Sequence, residues 1–334
     1  MNNKEKIGVV LLNLGGPDSP EAVQPFLFNL FNDPDIINFP LSFLFRKRLA
    51  KIISTKRSPK IVGQYRQIGG KSPLLDLTIK QSEALQAELR KKIDCSVYIA
   101  MRYWKPFTEE TMRRMQKEEI TKIVLLPLYP HYSISTTGSS YNEWKRLSRI
   151  YKYFRSQDIR LVKEYYDFPA YIDSLVDSIN KTLLKFPEIV RDSVVLLFSA
   201  HGTPVKLFKQ GDPYKYHIEA TVKEVMSRGA YKQKHFLSFQ SKVGPQKWLE
   251  PKTPDTIVRL AGEGEKYLLV IPVAFVSDHL ETLFEIGIEF RHLAKEKGII
   301  QFEVMPGLND SALFIKALSE LVLMSLDGEK DNNG

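Results

Sequence analysis

Eight short runs rich in Val, Ile and Leu punctuate this chain, at 6–14, 95–103, 122–130, 160–166, 194–202, 235–242, 267–275 and 302–308, and most are closed by Gly, Pro, Ser or Asn. Apolar runs of this length suit strands buried on both faces, the condition of a parallel sheet. Parallel neighbours need a crossover, and the stretches between the runs supply it. Residues 79–91 carry Leu85 and Leu89 among charges, and 171–186 carry Ile172, Leu175, Val176, Ile179 and Leu183, both at helical spacing.

The runs fall into two sets of four. The first run of each set leads into a Gly-Pro-type turn, Gly15-Gly16-Pro17 in one and Gly202-Thr203-Pro204 in the other. The third run of each set holds an internal proline, Pro127 and Pro272. The expected fold is α/β, with two similar Rossmann-like domains, each a four-stranded parallel sheet flanked by helices. In such sheets ligands sit beyond the carboxyl ends of the strands, so a cleft between the two domains is the expected site. The joint is expected near 160–170, giving domains 1–165 and 166–328, with a helix over 311–326 packing back across them and a disordered tail at 329–334.

Composition narrows the function. The single cysteine, Cys95, excludes a disulfide framework and any all-thiolate zinc or iron–sulfur site within one chain. It fits a reducing cytoplasm. No secretory signal and no run of 18 or more apolar residues is present, so a cytoplasmic protein is expected. The net charge of +9 favours an acidic partner: anionic lipid, nucleic acid or a carboxylated small molecule. No zinc-finger, RRM or KH signature supports nucleic acid.

Unusual polar residues stand at the expected strand ends. His201 closes the fifth run, where an imidazole either binds a proton or metal or simply satisfies a strand end. After the seventh run, Asp278 and Glu281 have capping-box spacing. The cap leaves Glu285 and Glu289 unexplained. Glu281, Glu285 and Glu289 recur every four residues and share one helix face, where like charges cost a few tenths of a kcal/mol per pair; the face either binds a cation or relays protons, or is a solvated acidic face balanced by nearby lysines. A histidine with carboxylates and no thiolate suits ferrous iron. The hydroxyl-rich loop 132–140 resembles an anion cradle without the lysine of a P-loop. The apolar segment 25–45, followed by Arg46, Lys47, Arg48 and Lys51, is either a core helix pair or a lip on anionic lipid.

Beside these readings stands a family resemblance. Leu11-Leu12-Asn13-Leu14-Gly15-Gly16-Pro17, Tyr65-Arg66-Gln67-Ile68-Gly69-Gly70-Lys71-Ser72-Pro73-Leu74, Met101-Arg102-Tyr103-Trp104 and Leu128-Tyr129-Pro130 are similar to ferrochelatase motifs. So are Phe198-Ser199-Ala200-His201-Gly202, Gly211-Asp212-Pro213-Tyr214, the segment 238–245 and Asp278-His279-Leu280-Glu281-Thr282-Leu283. They stand in family order from about residue 7 to 325. The resemblance implies insertion of Fe(II) into a porphyrin, with His201 and Glu281 catalytic and His201, Glu281, Glu285 and Glu289 handling the metal. It implies porphyrin contacts at Leu14, Arg66, Arg102 and Tyr103, and further at Tyr132, Trp248 and Phe275. Iron is then a substrate, no iron–sulfur cluster is expected, and the chain is a monomer or homodimer.

Two departures matter. Gly287 stands where many relatives carry an acidic residue, which thins the acidic face. Leu14 stands where coproporphyrin-using relatives tend to have Tyr, which points to protoporphyrin IX. Coproporphyrin III is the alternative substrate. A cobalt chelatase and a porphyrin or haem carrier are the other readings, and the carrier would not need the glutamate ladder. A nucleotide-binding enzyme would need a G-x-G-x-x-G turn that the chain lacks after its first run.

Overall fold

The structure is a computed structural model that describes residues 5–37, 42–241 and 246–328. Among these residues the strands are β1 Ile7–Asn13, β2 Cys95–Met101, β3 Lys122–Pro127, β4 Asp158–Leu161, β5 Val195–His201, β6 His235–Gln240, β7 Tyr267–Ile271 and β8 Gln301–Val304. They form two four-stranded sheets of the same order, β2-β1-β3-β4 and β6-β5-β7-β8, parallel throughout. The two-set reading of the sequence therefore holds. The fourth strand lies a little earlier than the run at 160–166 suggested, and the expected tail at 329–334 lies outside the described residues.

Burial explains the strand order. In β1, Val9, Val10 and Leu11 are wholly buried, as are Leu196, Leu197 and Phe198 of β5. These strands need neighbours on both edges and helices on both faces, so they sit inside their sheets. The fourth-position strand β4 is only half-buried, as an edge allows. Each sheet has its own core. Val10, Leu12 and Leu125 pack with Met112, Met115 and Trp144 in the first, and Leu197 and Val270 with Ile257, Leu260, Ile286 and Phe290 in the second. Each such side chain contributes about 1.5–3 kcal/mol when fully buried.

The chain divides into two compact units, Met1–Glu164 with Ile315–Gly334, and Tyr165–Phe314. The joint falls inside 160–170. The last helix, Ala312–Asp327, is divided differently from the expected 166–328 boundary: from Ile315 onward it belongs with the first unit. Arg160 of β4 holds it there, because its guanidinium donates to the carbonyl oxygens of Ser325, Leu326 and Gly328. A cation on the last free carbonyls of a helix satisfies acceptors that have no partner within the helix.

Two helices follow β1, α1 Val23–Phe31 and α2 Ser42–Arg66. Of the expected lip, Phe26, Leu27 and Phe31 are buried in the core, whereas Phe28 and Leu30 stay partly exposed. At the start of α2 the apolar side chains face out: Leu44 is 61% and Phe45 56% exposed. Residues 38–41 of the segment lie outside the described residues.

Candidate active site

In the second unit, β5 delivers His201 to its carboxyl end. Tyr214 donates its hydroxyl to the His201 carbonyl at 3.0 Å. The next residue, Gly202, donates its N–H to Gln240 O at 2.7 Å. A β-carbon at Gly202 would lie 2.8 Å from that same oxygen. Only glycine allows β5 and β6 to approach so closely where the histidine leaves the sheet. The imidazole itself remains 35% exposed.

The third strand of the sheet, β7, leads to the segment 277–280 and then to a π-helix over Glu281–Phe290. π-Helical turns usually occur singly and mark functional positions; this one runs for ten residues. Its wider turn keeps residues four apart nearly in line. Thr282, Ile286 and Phe290 form a buried stripe toward the sheet, and Glu281, Glu285 and Glu289 form the neighbouring stripe. The capping box expected from Asp278 and Glu281 does not form. The residue before the helix is Leu280, which has no side-chain cap bond, and Asp278 instead bonds Thr282, Gly307 and Asn309.

Glu281 is thereby free to meet His201. Its Oε2 lies 2.8 Å from His201 Nδ1 and also accepts from Gln240 Nε2 at 3.3 Å. A carboxylate can only accept here, so Nδ1 carries the proton, and in the neutral imidazole the lone pair is left on Nε2. Burial works against charge on both groups. It is outweighed at His201 by the charge and hydrogen bond of Glu281, with Glu285 adding to it, so the imidazole pKa is raised above its ordinary 6.5. At Glu281, burial is outweighed by His201, so the carboxyl is held well below the carboxylate range. A second imidazole, His279, packs on Phe275 at 4.3 Å between ring centres, and burial lowers its pKa. Two histidines two residues from the same carboxylate, or bonded to it, are thus driven in opposite directions.

Behind Glu281 runs a buried polar chain that spacing alone did not reveal. Gln240 Oε1 accepts from Ser199 at 2.7 Å, Ser199 bonds Thr253 at 2.8 Å, and Thr253 bonds Ser238 at 2.9 Å. All four side chains are at most 2% exposed. The serine hydroxyl on Gln240 Oε1 turns the amide so that its NH2 faces Glu281.

The remaining glutamates do not complete a metal site. Glu285 turns to Ser241, accepting from its N–H at 3.1 Å and its hydroxyl at 2.6 Å. Burial, then the nearby Glu281 charge, pushes its carboxyl up to about 7. Glu289 is exposed, and Gly287 lies in the π-helix with its Cα side against the Thr282 carbonyl. Among the described residues no three His, Cys, Asp or Glu side chains are placed to hold a metal ion. The expected four-residue metal set is therefore reduced to a His201–Glu281 pair, with Glu285 next along the stripe. The wider π-turn carries the acids along a line and does not gather them around a point.

Two expected aromatic contacts do assemble on His201. Trp248 and Phe275 meet its ring edge-on, at 6.4 and 6.2 Å between centroids. A cavity of about 190 Å³ opens beside them, lined by Trp248, Gln240, Ser241, Lys247 and Glu285.

The other expected residues lie in the first unit. Arg102, just after β2, donates from Nε to Ser139 at 2.9 Å and pairs through Nη2 with the fully buried Asp33 at 2.9 Å. Tyr103 gives its hydroxyl to Asp33 at 2.6 Å and is 1% exposed. It therefore offers a ligand no surface and instead supports Arg102, whose guanidinium lies 5.1 Å over its ring. Leu14 is half-buried, Arg66 is exposed at the end of α2, and Tyr132 lies under the ammonium of Lys163 at 5.1 Å. The hydroxyl-rich loop forms a short π-helix, Ile134–Gly138, capped by its own Ser133, and then the helix Ser139–Ile150. Both units thus carry a π-helix after their third strand. The residue after the second strand reaches the segment beyond the third in each: Arg102 to Ser139, just past the π-helix, and Ser241 to Glu285 within it.

Gln240, Ser241 and Asp33 were not singled out from the sequence, and Ser139 stood only within the hydroxyl-rich loop 132–140. Only Gln240 and Ser241 stood inside a family-like motif.

A family model described as ferrochelatase matches residues 6–326. A ferrochelatase of Synechocystis sp. is 45% identical over 324 residues, which is 96% of this chain and 83% of that protein. A ferrochelatase of Geotalea daltonii is 46% identical over 325 residues, 97% of this chain and 99% of that one. Among solved structures, SirB from Bacillus subtilis with Fe3+ superposes with a TM-score of 0.56 at 11% identity, over 96% of this chain and 95% of the other. Likeness at that identity speaks for the two-sheet fold.

Proposed function

The chain belongs to the ferrochelatase family, and on that premise we propose that it inserts Fe(II) into protoporphyrin IX at the His201–Glu281 pair. It is a metal chelatase; the substrate and the residue roles are what is proposed. The observation that carries the proposal is the 2.8 Å bond between His201 Nδ1 and Glu281.

That bond sets up proton chemistry. A free porphyrin keeps two N–H protons that must leave as the metal enters. His201 Nε2 takes a pyrrole proton, and the imidazolium that forms is stabilised by the Glu281 carboxylate. Glu285, with a carboxyl pushed up to about 7, is matched to passing protons along the acidic stripe near neutral pH. Fe(II) is a substrate that must move on to four porphyrin nitrogens. A pair of protein ligands without a thiolate suits delivery better than a closed site would. Binding strain of a few kcal/mol that tilts a pyrrole would be offset by contacts remote from the metal.

Leu14 supports protoporphyrin IX over coproporphyrin III, since it stands where coproporphyrin-using relatives tend to have Tyr. The test is anaerobic Fe(II) insertion with either porphyrin, followed by absorbance. Faster turnover of protoporphyrin IX is expected; preference for coproporphyrin III would overturn the substrate assignment.

The surface of α2 supports a peripheral contact with anionic membrane from the cytoplasmic side. The helix carries Arg46, Lys47, Arg48, Lys51, Lys56, Arg57, Lys60 and Arg66 with no carboxylate, and it exposes Leu44, Phe45 and Ile52. Basic side chains beside outward apolar ones suit a headgroup layer. No helix among the described residues is long and apolar enough to cross a membrane. The protein is expected to sediment with vesicles containing phosphatidylglycerol and to lose this in Phe45→Asp. Equal recovery with neutral vesicles would remove the electrostatic argument.

A further inference from the structure

Glu281 begins its helix without a cap, so something else must fix the segment that enters it. Asp278 heads that segment. Its Oδ1 accepts from Gly307 N–H at 3.1 Å and from the Thr282 hydroxyl at 3.0 Å. The Thr282 oxygen in turn accepts from His279 N–H at 3.0 Å. The other carboxylate oxygen, Oδ2, accepts from Asn309 Nδ2 at 2.8 Å.

Asn309 answers with its own oxygen. Asn309 Oδ1 accepts from Asp278 N–H at 3.0 Å, and Asn309 N–H donates to Val276 O at 2.8 Å. Its amide orientation is determined, because exchanging O and N would set lone pairs against a carboxylate and a donor against a donor. Asn309 has φ of 46°, a left-handed conformation that asparagine adopts more readily than most residues. Two residues earlier, a β-carbon on Gly307 would lie 2.8 Å from Asp278 N. The turn after β8 is therefore shaped to lie against the segment 276–278. Three hydrogen bonds tie Asn309 to Val276 and Asp278, within five residues of Glu281.

From this geometry we infer that Asn309 is a positioning residue for metal insertion: through its reciprocal pair with Asp278 it fixes the first turn of the π-helix and so the aim of Glu281 at His201. The inference rests on the reading of His201 and Glu281 as the reacting pair. In this arrangement Asn309 acts on Glu281 through Asp278 and Thr282.

The pair allows a reciprocal test. Asn309→Asp sets two acceptors face to face. Asp278→Asn keeps its amide oxygen on Gly307 N–H and Thr282, so it sets two NH2 groups face to face. The double variant Asp278→Asn with Asn309→Asp exchanges donor and acceptor and restores each of these bonds with the net charge unchanged. Anaerobic Fe(II) insertion is measured for the three, and for Asn309→Gly, which keeps the backbone conformation, at a temperature well below every melting midpoint. Each single variant is expected to lose about 10- to 100-fold in kcat, the usual cost of removing an outer-layer partner, with KM for the porphyrin unchanged. The double variant is expected to recover most of kcat. Singles that melt earlier yet keep kcat, or a double variant as slow as its parents, would overturn the inference. Glu281→Gln run alongside separates the two layers. If Glu281→Gln is slow and Asn309→Asp is not, only the positioning role fails; if Glu281→Gln keeps full activity, the reading of the pair and the inference fall together.

Discussion

His201→Ala should abolish most metal insertion while leaving porphyrin binding largely intact. A positioned proton acceptor typically contributes about 100- to 10,000-fold, and the loss should show in kcat measured anaerobically at saturating porphyrin. Binding, followed by quenching of porphyrin fluorescence, should persist because the other expected contacts are untouched. The wild type should also show a pH signature. Insertion needs the neutral ring, and the His201 pKa is raised above 6.5, since burial is outweighed by Glu281 and Glu285. The rate should therefore climb with pH through that raised value. Stability runs the other way over the same window. The contribution of charged His201 is complete below about 6.5, its unfolded value, and is lost as pH rises through the folded value. A variant that still chelates at the wild-type rate would remove His201 from the chemistry.

Glu281→Gln is the second large effect. The substitution keeps the shape and can keep both bonds, to His201 Nδ1 and from Gln240, but it deletes the charge. Insertion should slow by about 100-fold or more, because the imidazolium loses its counter-charge as it forms. The midpoint of the pH–rate profile should move down, since the main group raising the His201 pKa is gone. The fold should survive at a cost of about 1–3 kcal/mol. This cost should fade in acid. The Glu281 carboxyl is held far below its ordinary 4.5, so its stabilisation is present above that value and is lost as pH falls through the folded one. Calorimetry at pH 7 and pH 3 checks the sign. A lower melting temperature with an unchanged rate and pH midpoint would reduce Glu281 to a structural partner.

The strands were legible because their information is local. The wholly buried residues of β1 and β5 follow one another in sequence, and so does the apolar run of each inner strand. His201 was visible for the same reason, as a polar residue closing such a run. The pairings that support it were not, although Glu281 itself stood out in the acidic ladder. Glu281 finds His201 across 80 positions and Gln240 across 41, and Tyr103 finds Asp33 across 70. Asp278 shows the limit clearly. Local spacing offered it a cap, but donors about 30 residues away, at Gly307 and Asn309, took its carboxylate. The π-helix was missed because acids four apart nearly align in either kind of helix.

The matching strand orders, and the matching reach from the second strand to the segment beyond the third, describe a chain that holds the same machine part twice. At that reach one copy carries Arg102 and Ser139 and the other Ser241 and Glu285. Each copy keeps its own core, so mutations could accumulate in one without disturbing the packing of its twin. One half places imidazole and carboxylates beyond its sheet, and the other holds its arginine neutralised against a buried aspartate. Unlike side chains at matching places on one repeated scaffold thus give the two halves different chemistry.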